Sequence, residues 1–130
     1  LIYISVISHG HDNLITELGC LSQLKKHSDI KVILKNNYHN IDSSLTKFCQ
    51  SNQIDFIDEE YGLGFGENNN YIFNYAVNKL ELNDNDYFLI LNPDVSIELI
   101  AILDIVNLAE KSNSELTTLN LYKDKKLSVF

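Results

Sequence analysis

The 130 residues contain no arginine: all ten basic residues are lysines, set against eighteen Asp and Glu for a formal net charge of -8. That balance disfavours sliding on nucleic acid or adsorbing to an anionic membrane. It leaves room for an anionic small molecule, because a bound cation reverses the sign locally. Cysteine is nearly as scarce. Cys20 and Cys49 fall in expected helices with no metal-ligand spacing between them, which points to a reducing compartment. No apolar run approaches ~18 residues, so no segment is expected to span a bilayer. A charged leader and an initiator methionine are also missing, and a trimmed start is expected in place of a signal peptide. The one proline, Pro93, follows a strand-like run directly.

What is present reads as an ordinary globular domain, with 45% apolar and 22% charged residues and enough length for one core. IYISVIS (2–8) is rich in β-branched and aromatic residues and predicts a first strand, with SHGHD as its exit loop. Leu14, Leu18, Leu21 and Leu24 then mark an amphipathic helix capped by Asp12 or Asn13. IKVILK (30–35) predicts a second strand, followed by the loop NNYHN and a helix over 43–51 carrying Leu45, Phe48 and Cys49. IDFID (54–58) predicts a third. GLGFGENNN (62–70) opens a helix reaching about Leu80, with Ile72, Ala76 and Leu80 on one face.

DYFLIL (86–91) predicts a fourth strand, as continuously apolar as a central parallel strand. A helix over 97–111 follows, carrying Leu99, Ile100, Leu103 and Val106, with Ser96 as its cap. LTTLNLYKDKKLSVF (116–130) reads as a strand, a Lys-Asp-Lys-Lys turn and the start of another strand. The alternation predicts an α/β fold with a parallel sheet between two helical layers. One domain is expected over 1–130, as the first part of a longer one.

Three loops hold candidate chemistry, because open α/β sheets bind ligands beyond the carboxyl ends of their strands. In SHGH, Gly10 permits close backbone approach, and His9 and His11 can bond a base or a phosphate; the pair lacks a third ligand for a metal. GLGFG lacks the Gly-Lys-Ser/Thr of a nucleoside triphosphatase and does not follow the first strand, as a dinucleotide fingerprint must. It is either a turn with Asn68 capping the helix or, with its asparagine cluster at a helix start, a ligand loop. In YFLILNPDVS, Asp94 is either part of a plain turn or a hard oxygen ligand for Mg²⁺ or Mn²⁺ in contact with phosphate.

Together these stretches resemble glycosyltransferase family 2, the inverting enzymes of the GT-A fold, and within it the bacterial rhamnosyltransferase-like members. ISVISHGH resembles the family's first strand. GLGFGENNNYIFNYA resembles its glycine-asparagine run and following helix, and FLILNPDV is similar to the Asn-Pro-Asp variant of its Asp-x-Asp element. The resemblance implies a Rossmann-like, three-layer nucleotide-diphospho-sugar transferase fold. It also implies transfer of a sugar from a nucleotide-diphosphate sugar to a glycan or lipid-linked saccharide acceptor in surface polysaccharide synthesis.

On the same basis Asp94 binds a divalent cation and Asn92 takes the place of the element's first acid. Ser8, His9, Gly10, Lys35 and Asn36 stand at the nucleotide, and Gly64, Phe65, Gly66, Asn69 and Asn70 shape the sugar-diphosphate region. The general base is implied beyond residue 130, and the setting is cytoplasmic at the inner membrane face. His9-Gly10 and Lys35 replace the family's usual Tyr-Asn and aspartate, and Gly62 replaces an asparagine. Those departures favour the alternative of a non-catalytic scaffold that kept the fold. A nucleotidyltransferase is a third reading, opposed by the lack of lysine in SHGHDN.

Overall fold

Strand β1 (Ile2–Ser8) is buried at every position but Ile7, because it is paired on both sides. In the computed structural model, which describes residues 1–41, 43–113, 115–117, 121–123 and 126–128, β2 (Ile30–Asn36) flanks it on one side and β4 (Tyr87–Ile90) on the other. β3 (Asp55–Ile57) lies outside β2, giving a parallel sheet of order β3-β2-β1-β4. Parallel neighbours need crossovers, and helices supply them: α1 (Asp12–Leu18), α2 (Cys20–Lys25), α3 (Leu45–Asn52) and α4 (Phe65–Lys79).

Side chains alternate along a strand, so Tyr3, Ser5 and Ile7 share one face with Ile33 and Lys35. Helix α4 covers that face. Its Ile72 and Ala76 close a core with Tyr3, Ile33 and Ile57, and the Tyr3 hydroxyl donates to Leu80 O at 2.8 Å, tying the helix end to β1. Burying side chains of this size is worth roughly 1.5–3 kcal/mol each. On the other face Val6 meets Ile15, Cys20 and Leu21, while α2 and α3 pack on β2 and β3. The expected α/β/α layering is what the chain forms.

Several local expectations are corrected. The leucine helix is broken by Gly19, whose φ of +67° is left-handed, and the break rephases the stripe. Ile15, Cys20, Leu21 and Leu24 are buried, whereas Leu14 and Leu18 stay exposed. Asp12 lies inside α1, with His11 at the cap position, and its carboxylate accepts from Ser43 Oγ at 2.6 Å. Asn68 is likewise not a cap. α4 starts at Phe65 after Gly64, whose N–H donates to Glu67 Oε1 at 3.4 Å, half of a capping box. The fourth strand lies at the sheet edge among the described residues, with side chains only partly buried.

The chain divides into two compact units, Leu1–Ser96 and Ile97–Phe130. The second holds helix α5 (Leu99–Ser112) and an antiparallel pair, β5 (Leu121–Lys123) with β6 (Lys126–Ser128). α5 has Glu98, not Ser96, at its cap position, and it buries Ile102 and Ile105 while Ile100 is exposed. Its sequence is apolar nearly all round, so periodicity alone does not select a face. Of the expected turn between the last strands, Asp124 and Lys125 lie outside the described residues.

Candidate functional site

A cavity of about 340 Å³ opens where β1, β2 and β4 end, within the lower range of small-ligand pockets. β1 contributes Ser5 and Ile7, and the loop after it His9 and His11. Asn37 follows β2, Phe65 and Asn69 come from the first turns of α4, and β4 with its exit loop adds Ile90 through Asp94. Asn69 is held from two directions: its Oδ1 accepts from Ser5 Oγ at 2.8 Å and its Nδ2 donates to Phe65 O at 3.0 Å.

Asn92-Pro93-Asp94 is both a turn and a cavity wall. Val95 N donates to Asn92 O at 3.1 Å, with Pro93 in the position its fixed φ suits. Asn92 and Asp94 line the cavity with exposed side chains. Asp94 is the one carboxylate among the described lining residues, and no described group of three or more His, Cys, Asp or Glu could hold a metal by itself.

The loop over 58–64 is stitched to the end of β2. Lys35 Nζ donates to Glu60 O and to Asn68 Oδ1, each at 2.8 Å, and lies 5.2 Å from the Tyr71 ring centroid. Burial pushes the ammonium below the usual lysine range, while the Glu60 and Glu59 carboxylates pull it back up. Asn37 Nδ2 donates to Leu63 O, and Leu63 N donates back to Asn37 Oδ1, both at 2.9 Å. Asn36 Nδ2 reaches Asp58 Oδ1 at 3.2 Å. Among the described residues no buried side-chain polar atom is left without a partner.

Matching proteins bear on this arrangement. Rhamnosyltransferase WbbL of Escherichia coli (strain K12) is 31% identical over 131 aligned residues, 99% of this chain and 48% of that protein. The chain thus spans about half the length of this curated relative. The crystal structure of S. aureus TarS has the same fold, with a TM-score of 0.62 at 13% identity over 86% of this chain and 20% of that one. A structure of S. aureus TarS 1–349 gives a TM-score of 0.60 at 16% identity, covering 86% and 33%. The chain is thus similar in sequence to a rhamnosyltransferase over nearly all its length, and in fold to the TarS structures. Its fold is GT-A, although no protein-family model matches the chain.

Within this fold, His9, Phe65, Asn69, Asn92 and Asp94 of the sequence-derived candidates line the cavity. Ser8, Gly10, Lys35, Asn36, Gly64, Gly66 and Asn70 are not among its lining residues. Ser8 Oγ accepts from His11 N at 3.2 Å, and Gly10 turns the loop at φ +74°. Lys35 is fully buried against Glu60 and Asn68. Ser5, Ile7, Asn37 and Ile90 escaped the site reading. Strand alternation was the signal available, since Ser5 and Ile7 share parity with the α4-facing Tyr3, and Asn37 with Lys35.

Proposed function

We propose that the chain is the donor-binding part of an inverting glycosyltransferase. It would take a nucleotide-diphosphate sugar and pass the sugar to a hydroxyl of a glycan or lipid-linked acceptor in bacterial polysaccharide synthesis. The supporting observation is the cavity at the carboxyl ends of β1, β2 and β4, walled by Asn92-Pro93-Asp94 and Asn69. The relative named a rhamnosyltransferase agrees with it. A cytoplasmic setting at the inner membrane face fits such a donor; among the described residues no helix is long and apolar enough to cross a membrane.

The donor set suits Mg²⁺ or Mn²⁺ only in company with a ligand. Asp94 supplies a hard anionic oxygen and Asn92 a neutral one, and diphosphate oxygens supply the rest. When bound, the cation neutralises charge on the leaving nucleoside diphosphate. Asp94 and Asn92 orient the diphosphate, and Asn69, fixed by Ser5 and Phe65, presents a set amide beside it. Phe65, 62% exposed, supplies apolar surface at the same place. With Asp94 committed to the cation, the carboxylate that takes the acceptor proton lies outside the described lining.

Calorimetric titration of UDP, dTDP and GDP, with and without Mn²⁺, tests this reading. Metal-dependent binding of one nucleotide is expected, weakened by about tenfold or more in Asp94→Ala. A folded protein that binds none of the three would overturn the donor reading. That result would favour a scaffold, the alternative to which the internal use of the Lys35 charge also lends support.

A further inference from the structure

We propose that His9 and His11 are ligand-orienting donors of this cavity. Each is fixed with its ring proton on Nε2, His9 by the Asn37 amide and His11 by the backbone N–H of His9. The inference rests on the donor-site reading and adds to it which groups hold the nucleotide and in what sense.

The polarity follows from groups that can act in only one way. An ammonium only donates, so Asn68 must turn Oδ1 toward Lys35, which leaves Asn68 Nδ2 to donate to Leu63 O at 3.0 Å. The Leu63 N–H only donates, so Asn37 presents Oδ1 to it and Nδ2 to Leu63 O, both at 2.9 Å. The same Asn37 Nδ2 lies 3.4 Å from His9 Nδ1. An amide nitrogen cannot accept, so His9 Nδ1 must, and in the neutral ring the proton sits on Nε2. His11 reaches the same state separately, because its Nδ1 accepts from the backbone N–H of His9 at 3.0 Å.

Both histidines line the cavity, and among the described residues neither Nε2 is engaged in a hydrogen bond. The chain has no arginine, and no lysine is among the described lining residues. An anionic ligand therefore finds its side-chain donors in these imidazoles and in the asparagine amides. The ligand chemistry is an acceptor oxygen on a nucleoside diphosphate, belonging either to phosphate or to the nucleoside.

Nitrogen-15 spectra of the full chain at mildly alkaline pH report the tautomers directly. Nε2–H is expected at both rings, with His9 becoming a mixture in Asn37→Ala while His11 is unchanged. For the nucleoside diphosphate that wild type binds, His9→Phe is expected to lose about tenfold in affinity, the worth of one hydrogen bond to a charged group. His9→Gln, whose terminal amide nitrogen stands near the imidazole Nε2 position, should stay within about threefold of wild type.

A penalty seen with the diphosphate but not with the parent nucleoside assigns the contact to phosphate; a penalty seen with both assigns it to the nucleoside. Either supports the proposal. Nδ1–H at both rings, or wild-type affinity in His9→Phe, overturns it and leaves the donor site standing. No nucleotide binding by wild type overturns the donor reading itself and the ligand role of the histidines with it.

Discussion

The Lys35 ammonium is fully buried, has two neutral oxygens as partners, and has no carboxylate within ion-pair distance among the described residues. A charge in that setting costs several kcal/mol to desolvate, so its partners must be worth that cost. The return is order in the 58–64 loop: Glu60, at a positive φ of 54°, is held by its carbonyl, and Asn68 is fixed in one orientation. Lys35→Met keeps the length but strands Glu60 O and Asn68 Oδ1. Chemical denaturation should show a loss of about 2–4 kcal/mol. A neutral or stabilising result would mean that the loop does not depend on the ammonium.

The sign of the pH effect is also fixed. Because the folded value is lowered, the unfolded chain holds more protons between that value and the ordinary 10.5, so this group makes stability rise with pH across the window. The Met variant lacks that contribution. The family resemblance put Lys35 at the nucleotide, and nothing in IKVILK reveals that residue 35 is buried and bonded to Asn68 of α4. The place of Asp94 on the cavity wall was legible because a strand running into Pro-Asp announces its own exit.

At the scale of elements, two glycines separate backbone need from ligand need. Gly19 sits at φ +67° between α1 and α2, and a methyl there meets nothing within 4 Å. Gly19→Ala should therefore cost about 1–2 kcal/mol through backbone strain alone, read from the denaturation midpoint. Gly66 lies in the first turn of α4 at an ordinary helical φ, again with nothing within 4 Å of an added Cβ. Gly66→Ala should raise stability by roughly 0.5–1 kcal/mol. If the glycine serves close approach of a ligand, the same variant weakens nucleotide binding, so a gain in both would remove Gly66 from the site. The leucine spacing over 14–24 was read as one helix because leucine repeats signal period, whereas a left-handed break is carried by Gly19 alone. In α4 the period of Ile72 and Ala76 was unambiguous, and its start slipped only because asparagine is a common cap.

For the molecule as a whole, the alternation of strands and helices made the α/β layering legible. The order β3-β2-β1-β4 was not, since it depends on which strands find each other, and any apolar parallel strand can take a centre or an edge. Net charge is a property at this scale with a consequence for binding. At -8, the 130 residues repel a free nucleoside diphosphate at long range, while a cation-loaded one carries less charge to repel. Raising salt from about 20 to about 200 mM shortens the screening length from roughly 20 Å to roughly 7 Å. Stopped-flow association of nucleotide with Mn²⁺ present should accordingly stay level or speed up by about twofold at most over that range. Association that slows with salt would mean that a local positive field dominates at the cavity mouth. The buried ammonium of Lys35, 5.2 Å from the Tyr71 ring centroid, would then be the first source to test, by repeating the salt series in Lys35→Met.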